Sequence, residues 1–214
     1  QYLLQHKGRA AYFGNPMMDD EAIRSDGLKY SIGDRHIVTL VPSSRGDAYE
    51  NTARMLKVIE EIGHKQSMAW ILSLAPNLTI EEMKAELTPL GWEYLPEDLD
   101  AKGFIGKLKK TGVEPVHIVL GHFGDLIRSS TLVLGMTGTG NEQVAGLGVP
   151  VFLLRGQGVN STWRRILQYK RLLGDSIYIA WGSNKRIAKE LRSLLNNQRR
   201  LKAMAEEGVK RMGV

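Results

Sequence analysis

Five short apolar runs, most of them followed by a segment with helical spacing, constrain the fold of this 214-residue chain more than any other feature. They read "HIVTLVP" (36–42), "SMAWILSLA" (67–75), "PVHIVLG" (115–121), "TLVLG" (131–135) and "PVFLL" (150–154). None alternates apolar with polar residues. Continuous runs of this length imply strands buried on both faces, as in a parallel sheet covered by helices. The strand–helix alternation implies the same. "DAYENTARMLKVIEEIG" (47–63) carries Ala53, Leu56 and Ile59 at helical spacing. Thr79 and Glu82 stand at capping-box spacing before another helix. Further helices are expected at 141–148 and 161–174, and a strand at "SIYIAWG" (176–182). "WEY" (92–94) is a weak strand signal. The expected organisation is one doubly wound α/β domain over 36–182. The tail 183–214 is expected to form terminal helices that pack on that domain or reach toward a partner domain. Residues 1–35 read as a linker or edge segment.

Composition narrows the function classes. Apolar residues are 43% and charged residues 24%, ordinary for a globular protein. No apolar run approaches the ~20 residues of a membrane-spanning helix. Cysteine is absent, which removes disulfides and thiolate metal sites and agrees with a cytoplasmic location. The five histidines form no closely spaced pair, so no metal site is expected. The net charge is +6, with many basic residues in the last third. Solvated helix faces explain this charge best; an anionic membrane surface is the alternative partner. No nucleic-acid motif accompanies the charge, and a nucleic-acid partner is not expected.

In open parallel sheets, ligands bind beyond the carboxyl ends of the strands. The loop after the first strand is "PSSRGD" (42–47). Ser44 brings a hydroxyl, and Arg45 a planar cation that can grip two phosphate oxygens. A turn in which Asp47 caps the next helix explains the same residues equally well. After the third strand, "GHFGD" places His122 and Phe123 between glycines. Phe123 is a candidate for stacking on a base; burial in the core is the commoner fate of phenylalanine. "LLRGQGVNS" (153–161) offers Gln157 as a sugar contact, or a solvent loop in which Ser161 caps a helix.

The fourth strand runs into "MTGTGNEQ" (136–143). Gly138 and Gly140 allow backbone amides to approach a ligand closely. The helix that follows offers unpaired N–H groups and a partial positive charge to an anion. Thr137 and Thr139 add hydroxyls. Glu142 is placed to accept from ribose hydroxyls, or simply to complement the helix dipole. The stretch lacks the last glycine of GxGxxG and the lysine of a P-loop. The second strand end, "SLAPN", lacks the acid a nicotinamide dinucleotide needs, and no cofactor is expected.

"LVPSSRGDAYEN" and "LGMTGTGNEQVAGLGVPVFLL" resemble the carboxyl-terminal domain of lipid-A-disaccharide synthase and its relatives, glycosyltransferases of the GT-B type. The leader "FGNPMMD" resembles the segment joining their two domains, and "RRLKAMAEEGVKRMG" their terminal helix. The resemblance implies a Rossmann-like domain, the carboxyl-terminal half of a GT-B fold. It also implies a UDP-sugar donor, UDP-diacylglucosamine-like, and a lipid or glycolipid acceptor. Such work would be done at the inner face of the membrane. Ser44, Arg45, Thr137, Gly138, Thr139 and Gly140 would hold the donor's diphosphate and ribose. His122 and Phe123 would frame the base. In a gapless alignment Gln143 falls where the family has its glutamate, with Glu142 one residue early, so both are ribose candidates. The general base would lie in an amino-terminal domain outside this chain, and the chain alone is expected to bind the donor without turning it over. A UDP-sugar 2-epimerase half, with His122 in the cleft, and a non-catalytic nucleotide-binding or membrane-docking module are the alternatives.

Overall fold

The computed structural model describes residues 14–64, 67–97, 103–155 and 162–212, apart from the side chain of Trp163. Gln157 and Ser161 lie outside the described residues. Eight strands form one sheet: β1 His36–Val41, β2 Met68–Leu74, β3 Glu93–Pro96, β4 Phe104–Lys109, β5 Val116–Leu120, β6 Leu132–Gly135, β7 Val151–Leu153 and β8 Ile177–Ile179. Their order is β3-β4-β5-β2-β1-β6-β7-β8. The six strands from β5 to β8 are mutually parallel. Numbered among themselves, they run 3-2-1-4-5-6, the doubly wound order whose direction of travel reverses between β1 and β6. That reversal leaves a crevice beyond the carboxyl ends of these two strands.

The parallel strands are buried because helices cover both faces. The described helices are α1 Ala48–Ile62, α2 Ile80–Leu87, α3 Phe123–Arg128, α4 Thr139–Gly146, α5 Trp163–Leu173, α6 Asn184–Leu195 and α7 Gln198–Met212. Side chains alternate across β1 as the pleat requires. Val38 and Leu40 enter one core, with Trp70, Leu72, Met55 and Leu191. Ile37 enters a second, with Ile71, Val119 and Leu126. A third cluster joins Val133, Val151 and Leu153 to Val144 of α4 and Ile166 of α5. The tail forms two helices, and both pack on the sheet's helical layers: Leu194 and Leu201 join the first core, Met212 the third.

Two strands depart from the all-parallel expectation. β3 and β4 add an antiparallel extension beyond β5. β4, "FIGKLK", alternates inward and outward residues and so shows no continuous apolar run. β3 is the outermost strand and tolerates Pro96, which has no N–H to donate to a neighbour.

Several caps differ in detail from expectation. Thr79 accepts from the Glu82 amide at 3.3 Å, as in a capping box. The reciprocal bond is replaced by Tyr49, whose hydroxyl accepts from the Thr79 amide at 3.0 Å and donates to Glu82. Asp47 occupies the cap position of α1 but makes no side-chain cap bond, and its Oδ1 is buried without a partner among the described residues. Thr162 caps α5, its side chain accepting from the Arg165 amide.

The leader packs against the body. Pro16–Asp19 and Glu21–Ile23 form two short 3-10 helices. Ile23 and Tyr30 are buried, at 3% and 4% exposure. Asp125 of α3 binds this segment: its carboxylate accepts from the Ser25 hydroxyl and from the amides of Asp26 at 2.9 Å and Leu28 at 3.3 Å.

Candidate functional site

A cavity of about 380 Å³ opens beyond the carboxyl ends of β1, β2, β5 and β6. Its walls are the loops that follow those strands, together with two elements from elsewhere in the chain. One is the leader at Asp20 and Ala22; the other is α5 at Arg165.

The loop after β1 contributes Ser43, Ser44 and Arg45. Its shape is fixed locally. Ser43 Oγ accepts from the Arg45 amide at 3.2 Å. Asn51 donates to the Pro42 carbonyl at 2.9 Å, and Asn77 to the Ser44 carbonyl at 2.8 Å. The backbone is thus held while the Arg45 side chain stays exposed and makes no ion pair among the described residues.

The loop after β6 contributes Thr137, Gly138, Thr139 and Gly140. It needs its glycines because its own side chains crowd the turn. A Cβ at Gly135 would lie 2.2 Å from Asn141 Oδ1, and one at Gly140 would lie 2.7 Å from Thr137 Cγ2. Asn141 ties the turn together by donating to the Thr137 carbonyl. Gly138 sits at the cap position of α4 and, having no side chain, gives no side-chain cap. The Asn141 amide turns back to the Gly138 carbonyl at 3.1 Å, which leaves the amides of Thr139 and Gly140 at the helix start without a side-chain cap among the described residues. The start of α4 and an exposed guanidinium therefore line one cavity, the arrangement that favours an oxyanion of phosphate.

The two ribose candidates separate. Gln143 lines the cavity and is 6% exposed. Its Nε2 donates to Asp20 Oδ2 at 3.1 Å. Glu142 lies outside the lining and faces Arg165 and Tyr169. Burial pushes its carboxyl above the usual range, and the Arg165 charge offsets part of that.

Phe123 lines the cavity beside Gly121, while its ring also packs on the third core cluster. His122 adopts a left-handed backbone (φ 48°) and does not line the cavity; its Nδ1 faces Asp26 Oδ2 at 3.1 Å. Asp26, His122 and Asp125 come close enough to hold a cation. However, both Asp125 oxygens already accept from the leader, which makes the trio an anchor for that segment.

Three lining residues carried no signal recognised in the sequence. Arg165 lies in the first turn of the helix after β7, where its guanidinium stands over the Tyr169 ring at 5.9 Å. Asn77 follows a strand end dismissed for lack of an acid. Asp20 reaches the site only through the tertiary position of the leader.

No family model matches this sequence, and no curated protein matches it. Solved structures do. MnaA of S. aureus, in a co-structure with UDP, is 13% identical with a TM-score of 0.59, the match covering 96% of this chain and 52% of that one. A UDP-N-acetylglucosamine 2-epimerase is 18% identical with a TM-score of 0.54, covering 99% and 52%. WaaG, a glycosyltransferase involved in lipopolysaccharide biosynthesis, is 13% identical with a TM-score of 0.54, covering 86% and 44%. The chain spans about half the length of these structures. At such identities the likeness shows the fold: a mostly parallel α/β unit of the kind found in GT-B glycosyltransferases and UDP-N-acetylglucosamine 2-epimerases. Nothing in it singles out lipid-A-disaccharide synthase.

Proposed function

We propose that this chain is the nucleotide-sugar-binding unit of a glycosyltransferase, holding the diphosphate of a UDP-sugar between the start of α4 and Arg45. The observation that carries this reading is the uncapped amino-terminus of α4 opening into the same cavity as Arg45 and Arg165. Hydrogen bonds to a charged group each contribute ~1.5–3 kcal/mol. Two or three of them at the diphosphate favour its departure as charge grows there during transfer. In an inverting transfer, an acceptor hydroxyl gives its proton to a general base and attacks the anomeric carbon, the bond to the diphosphate breaks, and UDP carries the electron pair away. Phe123 and Gly121 also line the cavity, where the Phe123 ring would stack on the base.

The motif resemblance favours a diacylglucosamine-like sugar and a lipid acceptor. The basic exposed faces of α5, α6 and α7 suit an anionic membrane surface. Among the described residues no helix is long and apolar enough to cross a membrane.

A 2-epimerase reading has its own support. One of the similar structures is a UDP-N-acetylglucosamine 2-epimerase, and His122 with Asp26 stands next to the lining residues Gly121 and Phe123. The two readings separate by product: incubation of the whole protein with UDP-N-acetylglucosamine yields the 2-epimer, seen by NMR, only under the second.

Calorimetric titration with UDP tests the shared core of both readings. Saturable heat and a raised melting temperature are expected, since a ligand that binds only the folded state stabilises it. Neither effect at millimolar UDP overturns the proposal.

A further inference from the structure

Three charged residues line the cavity: Arg45, Arg165 and Asp20. Asp20 is thus the one carboxylate among the described lining residues. It comes from the leader, and both of its oxygens are oriented. Oδ1 accepts from the Ala22 amide at 2.9 Å, and Oδ2 from Gln143 Nε2 at 3.1 Å. An ionised carboxylate offers about four acceptor sites. These two bonds fix its plane and leave a lone pair on each oxygen.

We infer that Asp20 is the hydroxyl-accepting residue of the nucleotide site, gripping the vicinal diol of the nucleoside ribose, with Gln143 as the positioning residue that holds it. The inference rests on the nucleotide reading above and adds a specificity to it. Asp20 repels phosphate, so it cannot share the diphosphate's position, and it directs the ligand's neutral hydroxyls toward itself. The spacing agrees. Gln143 lies one turn beyond Thr139, about 6 Å along the α4 axis from the amides that face the diphosphate. A diphosphate at the helix start therefore brings its sugar alongside Asp20. Glu142, the other acid of this turn, is turned toward Arg165 and Tyr169 and does not line the cavity.

The test is a cycle of two ligands and two proteins. UDP and 2′,3′-dideoxyuridine diphosphate are titrated against the wild type and Asp20→Ala, with uridine-free diphosphate as a control. In the wild type, loss of the diol is expected to weaken binding about tenfold or more, because each lost hydrogen bond involves a charged acceptor. In Asp20→Ala, UDP is expected to weaken by a similar factor, and the two nucleotides are expected to bind alike. The diphosphate control is expected to bind no more weakly than before. Asp20→Asn keeps the Oδ1 acceptor for the Ala22 amide and serves as the folded comparison; it is expected to retain less than half of the discrimination on a logarithmic scale. Gln143→Leu should lower the discrimination without abolishing it, which a purely structural role would not do. Full discrimination in Asp20→Ala or Asp20→Asn overturns the inference while leaving the nucleotide reading intact. Failure of UDP to bind the wild type overturns both.

Discussion

Gln143 Nε2 lies 3.1 Å from Asp20 Oδ2, joining the first turns of α4 to the leader across 123 residues of sequence. The amide donates and the carboxylate accepts, so the pair needs one neutral and one negative member. A glutamate at 143 would set two carboxylates against each other. This explains why the cavity holds its acid on the leader and an amide on the helix. Met18 sits close by, against Gly146, where a Cβ would meet its Sδ at 2.3 Å. The leader is therefore seated on α4 by one polar and one apolar contact.

Gln143→Glu is expected to add a pH dependence of stability that the wild-type amide at 143 does not supply. Two carboxylates at hydrogen-bond distance share one proton, and the pKa of one of them rises. A folded-state pKa above the unfolded value contributes stability at low pH that is lost as pH rises through it. The melting temperature of the variant, relative to wild type, should fall as pH rises above the unfolded carboxylate value, near 4. Gln143→Leu is the uncharged control, and its offset from wild type should stay constant. A constant offset for Gln143→Glu as well would mean that Asp20 and residue 143 do not face each other in solution.

Arg45→Ala is expected to weaken UDP binding much more than uridine binding. The guanidinium matches phosphate oxygens in a way no apolar residue replaces. It is exposed and free of ion pairs among the described residues, so its removal should leave the melting temperature within about 0.5 kcal/mol of wild type in stability terms. Arg165→Ala should behave alike toward UDP, with an added loss of packing from the Tyr169 ring. Equal weakening of UDP and uridine would remove either arginine from the phosphate end of the site.

The parallel core was legible in the sequence because burial on both faces leaves an unambiguous mark. Every residue of β2 is buried, and its apolar run announces it. β4 was missed for the complementary reason: it lies toward an open edge, and its lysines and glycine break the run. The Thr137–Gly140 loop was legible because a tight turn into a helix leaves its own local signature. Asp20 and Arg165 were not, since no local pattern distinguishes a residue that is brought to a site by the path of a leader or the tilt of a helix. His122 illustrates the converse. Its neighbours mark a strand-end loop, yet its left-handed backbone accompanies a ring paired with Asp26 and absent from the cavity lining.

Gly124→Ala is expected to unseat the leader. A Cβ at this position would lie 2.4 Å from the Arg24 carbonyl and 2.5 Å from that of Ile23. Both contacts are with backbone, which has no rotamer to yield. Overpacking of this kind costs about 1–3 kcal/mol. For a chain of this size each kcal/mol lowers the melting temperature by roughly 2–4 °C. Differential scanning calorimetry measures it directly, and a melting temperature equal to wild type would show that the leader does not pack on α3 as described.

Asp125 gives the fold an acid limit. It is 1% exposed, and burial alone would push its carboxyl up. The Ser25 hydroxyl, the amides of Asp26 and Leu28, and the nearby Arg128 charge outweigh burial and hold it below the ordinary aspartate value. A depressed folded-state pKa contributes stability above the unfolded value, near 4, and that contribution is lost as pH falls through the folded value. Asp125→Ala leaves two leader amides without their acceptor, a loss of about 1–3 kcal/mol. Denaturant unfolding at pH 7 should show that full difference from wild type. At pH 3, below the unfolded value, the gap should narrow, because protonation of the unfolded carboxylate draws the wild type toward unfolding while the alanine variant has nothing to titrate at this site. An unchanged gap at both values would mean that the bonds to the leader do not depend on the charge of Asp125, and the anchor would then be one of shape alone.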